Sequence, residues 1–148
     1  MISQTAEYAL RAVVALADGP NGPSAPQTTQ RIAKATRVPA QYLSKVLQSL
    51  NRAGILKSQR GQGGGSTLAR EPREITVYEV VQSVDPIGRI TSCPLGLASH
   101  GKRLCPLHRR VDDAIGAVET AFRATTIQDL LDEPTTSRPL CELEVVMN

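Results

Sequence analysis

Thr28-Thr29-Gln30-Arg31-Ile32-Ala33-Lys34-Ala35-Thr36-Arg37-Val38-Pro39-Ala40-Gln41-Tyr42-Leu43-Ser44-Lys45-Val46-Leu47-Gln48-Ser49-Leu50-Asn51-Arg52-Ala53-Gly54 is the stretch that decides the fold. It reads as two short helices joined by a tight turn. The first fits Thr29–Thr36, with Thr28 or Thr29 as N-cap and Ile32 and Ala33 facing inward. Arg37-Val38-Pro39 breaks it, because the residue before a proline is pushed out of helical geometry. The second begins near Pro39, a favourable first-turn residue, and runs to about Arg52, with Gly54 as its C-terminal cap. Leu43, Val46, Leu47 and Leu50 form its buried stripe, and Gln41, Ser44, Lys45, Gln48 and Arg52 share the opposite face. Two short helices, the second polar and basic outside, are the helix-turn-helix pattern.

Most charged helix faces are simply solvated, so the neighbouring sequence has to carry the weight. Ile55-Leu56-Lys57-Ser58 and Thr67-Leu68-Ala69 read as two strands around Arg60-Gly61-Gln62-Gly63-Gly64-Gly65-Ser66. The glycine run is not a phosphate cradle: no Lys follows it, and it lies between strands rather than opening a helix. It is a β-hairpin with a glycine tip, a wing. Arg60 at that tip suits a narrow, negative minor groove, with a solvated hairpin as the bland alternative. Helix, turn, basic helix and basic hairpin occur in the order a winged helix-turn-helix requires. Thr28, Gln41, Ser44, Lys45, Gln48, Arg52, Arg60 and Gln62 are then the expected contacts to double-stranded DNA. A good bidentate base contact contributes roughly 1–3 kcal/mol of discrimination.

Outward from this centre, Ile2, Ala6, Leu10, Val13, Val14 and Ala17 predict a first helix ended by Asp18-Gly19-Pro20. A Gly/Pro/Ser-rich loop follows from Gly19 to Pro26. A helix at about Thr76–Val84 carries Val77, Val80, Val81 and Val84, is closed by Pro86, and is expected to pack on the wing. Residues 86–106 read as a loop. Leu107, Val111, Ala114, Ile115, Val118 and Phe122 then form one long helical stripe that has little of its own chain left to cover it, which predicts a dimer helix. A short helix over Thr126–Leu131 precedes a tail expected to be mobile. The expected class is mainly α with a small β-hairpin. The expected division is a DNA-binding domain over 1–85, a sensor loop over 86–106, the dimerisation and terminal helices over 107–132, and a tail over 133–148.

Composition agrees. One hundred and forty-eight residues, 41% apolar and 21% charged, make one globular domain rather than a disordered chain. One Phe, three Tyr and no Trp argue against stacking of single-stranded bases. No apolar run approaches a membrane span, and the N-terminus lacks the features of a secretory signal, so a cytoplasmic chain without membrane association is expected. The net charge of +3 is unevenly placed: +7 over residues 1–70, +2 over 71–110 and −6 over 111–148. A basic front end points to a polyanionic partner.

Two of the three cysteines and both histidines fall in Cys93-Pro94-Leu95-Gly96-Leu97-Ala98-Ser99-His100-Gly101-Lys102-Arg103-Leu104-Cys105-Pro106-Leu107-His108. Structural zinc sites pair ligands two to four residues apart, and the eleven residues between Cys93 and Cys105 do not follow that habit. Cysteine with histidine suits an iron–sulfur cluster, a bare pair of redox thiols is a second reading, and two inert cysteines a third. A catalytic Cys105–His108 pair lacks an oxyanion-stabilising constellation and a substrate, so the chain is not read as an enzyme.

Glu7-Tyr8-Ala9-Leu10-Arg11, Tyr42-Leu43 through Leu50, Gly54-Ile55-Leu56, Arg60-Gly61-Gln62-Gly63-Gly64-Gly65, Leu68-Ala69 and the Cys93–His108 segment resemble the IscR/NsrR-type family of winged helix-turn-helix regulators, over about residues 1–132. The resemblance implies a homodimeric bacterial transcription factor with a crossed dimer helix and a cluster-holding loop that controls DNA affinity. It implies three cysteine ligands, of which Cys93 and Cys105 match the outer two. Ser99 stands at the middle position, which turns the expectation from a 4Fe–4S to a 2Fe–2S cluster, because serine is a poor soft-metal ligand. His108 matches the histidine ligand of IscR-like members. Glu7 matches an acidic ligand that some relatives supply from the other subunit. The implied set is Cys93, Cys105, His108 and Glu7, with His100 in reserve for the fourth place. Ser44 stands where the family carries an acidic base-reading residue, so a different operator is expected. Cys141, in the tail, matches nothing and reads as a free thiol. The functional expectation is a repressor switched by its cluster, with a cluster-free regulator sensing oxidants through Cys93 and Cys105 as the alternative.

Overall fold

The protein is described here by a computed structural model covering residues 2–100, 103–137 and 139–140. Its elements run α1 (Gln4–Ala17), α2 (Thr29–Thr36), α3 (Ala40–Arg52), β1 (Leu56–Gln59), β2 (Gly65–Leu68), α4 (Val77–Val84), α5 (Pro106–Ala124) and α6 (Ile127–Asp132), with 3₁₀ turns at Pro72–Glu74 and Ala98–His100. The mainly helical class with one hairpin is as the sequence predicts.

α1 lies at the centre, and its composition explains why. Ala6, Ala9 and Ala12 are fully buried beside Val13 and Leu16. Small side chains on so many positions let α2, α3, α4 and α6 approach its axis closely. Leu16, Ile32, Leu43, Leu50, Ile55, Ile75, Val80 and Ile127 complete one continuous core. Fully burying a side chain of this size stabilises the fold by roughly 1.5–3 kcal/mol.

The helix-turn-helix forms as read. Thr28 Oγ1 accepts from the Arg31 amide and caps α2. Arg37 ends it in the left-handed region, at φ 55°. The turn is tied to α1 by Arg11, whose Nη1 donates to the Thr36 carbonyl at 3.2 Å. In α3 the buried residues are Leu43, Val46, Leu47 and Leu50, the predicted stripe.

The wing differs from expectation in the bounds of its strands. β1 and β2 pair antiparallel with Leu56 opposite Leu68 and Gln59 opposite Gly65, so the first strand starts one residue later than read and the second two earlier. The cause is the turn. The Gly64 amide donates to the Gly61 carbonyl at 3.0 Å, so the hairpin closes at Gln62-Gly63 and leaves Gly65 and Ser66 extended. Arg60 stands on the shoulder of the hairpin, not at its tip. A feature invisible in the sequence then anchors β2: Gln27 and Ser66 exchange backbone hydrogen bonds at 3.0 and 2.8 Å, and Gln27 Nε2 donates to the Ala15 carbonyl. At Gly65 a Cβ would lie 2.3 Å from the Gln27 carbonyl oxygen, so only glycine lets the backbones approach this closely.

α4 is capped by a reciprocal pair, Thr76 and Glu79. It packs on α1, α3 and α5, not on the wing as the sequence reading had it. α5 carries no buried residue. Phe122 lies on the side of α5 packed toward Ala6, Val77 and Val81, while Leu107 and Val111 are exposed. The short α6 turns back into the body: the Ile127 amide donates to the Ile75 carbonyl at 2.9 Å and its side chain is fully buried.

Candidate nucleic-acid interface and sensor loop

Thr28, Gln41, Ser44, Lys45, Gln48, Arg52, Arg60 and Gln62 are all exposed. Exposed Arg31, Lys34, Arg37 and Lys57, which the sequence reading passed over, extend the basic surface along α2, its turn and β1. Uncompensated cations at this density are the electrostatic footprint of a polyanion site. Ser44 Oγ donates to the Ala40 carbonyl at 3.0 Å, so toward a ligand this hydroxyl offers acceptor capacity. Asn51 Nδ2 donates to Ser58 Oγ and fixes the end of α3 to the first strand of the wing.

The loop over residues 86–106 is built on two thiols with different surroundings. Cys93 is buried, Cys105 half-buried. The Leu97 amide, the His100 ring and the Leu95 amide all face the Cys93 sulfur and hold its thiol below the ordinary range, the Leu97 amide most strongly. A tight turn aims these amides: the Gly96 amide donates to the Cys93 carbonyl at 2.9 Å, with Gly96 at φ 65°. The 3₁₀ turn Ala98–His100 then brings His100 Nδ1 to 3.8 Å from Cys93 Sγ. Cys105 is the N-cap residue of α5, and His108 Nδ1 stands 3.3 Å from its sulfur. Ser99 is exposed in the same 3₁₀ turn.

Within one chain, the four residues implied by the resemblance are not gathered. Among the described residues no three His, Cys, Asp or Glu side chains converge on a common centre. The loop presents two Cys–His pairs instead. Glu7 is engaged on α1, where its carboxylate accepts from Arg11 Nε at 2.7 Å. In kind, two thiolates and two imidazoles fit an iron–sulfur cluster, whose histidine-ligated forms use this donor set. Cys141 lies outside the described residues.

A clamp missed in the sequence joins the start of the loop to α5. Arg89 Nε and Nη2 donate to the two oxygens of Asp112 at 2.8 and 2.7 Å, and the Ile90 amide donates to Asp112 Oδ1. The Arg89 guanidinium and the Ile90 amide lower the Asp112 carboxyl to about 2. Gly116 leaves room for the guanidinium, since a Cβ there would lie 3.0 Å from it. Glu119 is shared with Arg123, which in turn stacks 3.5 Å over the Tyr78 ring of α4.

A helix-turn-helix whose second helix shows a polar, basic face beside a pinned hairpin defines a winged helix-turn-helix DNA-binding protein. The chain belongs to the Rrf2 family, described as "Iron-dependent Transcriptional regulator", which it matches over residues 2–133. It is similar to the HTH-type transcriptional repressor NsrR of Streptomyces coelicolor, 28% identical over 134 residues and 90% of each chain. Among solved structures it is similar to CymR (YrzC), the global cysteine regulator of B. subtilis, with TM-score 0.70, 25% identity, and 88% of this chain and 95% of that one covered. T. potens IscR shares the fold, with TM-score 0.72 at 24% identity over 91% of this chain and 88% of that one. The protein is a DNA-binding transcriptional regulator, not an enzyme. Among the described residues no helix is long and apolar enough to cross a membrane.

Proposed function

We propose that the chain is a homodimeric bacterial repressor of the cytoplasm that binds a double-stranded operator and changes its affinity with the state of a 2Fe–2S cluster held by its sensor loop. The observation that carries the DNA part is the exposed face of α3, with Gln41, Ser44, Lys45, Gln48 and Arg52 free of the core that holds Leu43 to Leu50. Arg60 and Gln62 on the wing reach the flanking groove.

Dimerisation is supported by α5. Leu107, Val111, Ala114 and Val118 recur at helical spacing, and Leu107 is 66% exposed. A second copy of the same helix covers such a stripe along a two-fold axis and sets the spacing of the two recognition helices. Half-sites of a helix-turn-helix dimer lie about 34–36 Å apart or a multiple of that, so a small rotation spoils binding.

Cys93, Cys105 and His108 hold the cluster, with one further donor. When bound, the group supplies a redox-active, oxidant-sensitive centre whose potential histidine ligation raises. The chain's own part is mechanical. Cys105 and His108 stand at the start of α5, and Arg89 fastens the other end of the loop to Asp112 on the same helix. A change in the loop therefore acts on the dimer helix at both of its anchor points. The division into reader (1–85), sensor loop (86–106), dimer and terminal helices (107–132) and tail (133–148) follows from these roles, with α6 packed on the reader.

A second reading is a cluster-free regulator that senses oxidants through Cys93 and Cys105, and the observation that favours it is at Cys93. Its sulfur faces two amides and an imidazole, the environment of a reactive thiolate, so a cluster-free thiol sensor is supported by the same turn. Iron and acid-labile sulfide in protein purified without oxygen, read with its visible spectrum, separate the two. Bound iron and sulfide in equal amounts support the cluster; colourless, iron-free protein whose DNA affinity responds to peroxide supports the thiols.

A further inference from the structure

The fourth ligand place lies between Glu7 and His100 by sequence, and the structure treats the two differently. Resting on the cluster reading above, we propose that His100 fills it: Cys93 and His100 hold one iron, and Cys105 and His108 hold the other.

Geometry favours this pairing. With the bond lengths of zinc as a guide, about 2.3 Å to thiolate and about 2.0 Å to imidazole, a tetrahedral angle sets sulfur and nitrogen roughly 3.6 Å apart. The two observed separations, 3.8 Å for Cys93–His100 and 3.3 Å for Cys105–His108, bracket that edge. The pairs do not merge into a group of three among the described residues, which disfavours one ion bound by all four donors. A two-iron rhomb needs two ligands at each of two centres, and the loop offers two pairs. Each iron then carries one thiolate and one imidazole, unlike centres in which both imidazoles share one iron.

Glu7 is placed for other work. Its carboxylate is held by Arg11 at 2.7 Å, and Arg11 also donates to the Thr36 carbonyl at the turn of the helix-turn-helix. Removing Glu7 to a metal would take away the partner that orients Arg11. His100 stands on the loop itself, one 3₁₀ turn from the residues that wrap Cys93.

A consequence follows for assembly. All four ligands come from one protomer, so cluster loading does not need the partner subunit. A carboxylate ligand donated across the dimer would need it.

A thiol–imidazole hydrogen bond has similar lengths, so the test has to read the metal. The full chain, labelled with ¹⁵N-histidine, is loaded anaerobically with ferric iron and sulfide and then reduced by one electron with dithionite. Pulsed EPR then counts the coupled histidine nitrogens. The expected result is two in the wild type, one in His100→Ala, one in His108→Ala and two in Glu7→Gln, each variant checked for unchanged far-UV circular dichroism. In a Val118→Asp variant that is monomeric by mass, iron and sulfide per chain stay at the wild-type level. A cluster with a single coupled nitrogen that persists in His100→Ala overturns the ligand assignment while leaving the cluster in place. Absence of bound iron and sulfide in the loaded wild type overturns the cluster reading and the assignment with it.

Discussion

Arg89 holds both oxygens of Asp112 in a two-pronged ion pair at 2.8 and 2.7 Å, across 23 positions of sequence that contain Cys93, His100, Cys105 and His108. The contact closes the loop onto α5 independently of the cysteines. Charge-assisted, bidentate pairs of this kind give direction as well as energy.

Its pH dependence follows from the sign of the shift. The folded carboxyl is lowered to about 2 by Arg89 and then by the Ile90 amide, so its contribution to stability is full above the unfolded value and lost as pH falls through about 2. Asp112→Asn is expected to remove a contribution that is constant above about pH 4 and fades toward pH 2. Urea denaturation of both proteins across that range checks it; a stability difference that grows on acidification contradicts it.

Gly65→Ala tests the link between wing and reader. The new Cβ meets the Gln27 carbonyl at 2.3 Å, and relief requires breaking the Gln27–Ser66 exchange. A loss of about 1–3 kcal/mol in stability is expected, together with weaker DNA binding. Gly22→Ala, whose Cβ would meet nothing within 4 Å but whose φ of 82° strains any side chain, is the comparison: stability falls there too, with DNA affinity held.

Arg60→Ala should weaken binding to all DNA sequences by a similar factor and reduce the slope of log affinity against log salt by about one, the mark of a lost phosphate or groove cation. Fluorescence anisotropy at several salt concentrations reads both. An unchanged affinity and slope would remove the wing from the interface.

Val118→Asp places a charge at a half-buried position of the apolar stripe of α5, where a partner helix would desolvate it. Sedimentation is expected to give the mass of one chain instead of two, with folded helix content retained and DNA affinity reduced.

The helices were legible in the sequence because their signals are local: the α3 stripe, the Thr28 cap, and the break at Pro39 each depend on residues within two turns. The bounds of the wing strands were not, since they follow from where the Gly61–Gly64 turn closes and from the hold of Gln27 on Ser66, nearly forty positions away. The packing of α4 was misread for a related reason: Val77, Val80 and Val81 announce an apolar face but not which neighbour receives it. The Cys105–His108 pair follows from a three-residue spacing at the start of a helix. The Cys93–His100 pair depends on the turn at Gly96 and the 3₁₀ turn at Ala98–His100, which no periodicity reveals. Arg89 and Asp112 carried no signal at all before the fold brought them together.

The central claim is that the loop's cofactor state sets DNA affinity. It is tested most directly by one anaerobic preparation, measured on double-stranded DNA selected by the protein from a random pool. Binding is compared with the 2Fe–2S cluster intact and after its removal by a chelator, at fixed salt. A change of at least tenfold in affinity, tracking the loss of iron, sulfide and visible absorbance, is the predicted result. Equal affinity in the two states, with the cluster shown to be present in one and absent in the other, would contradict the account.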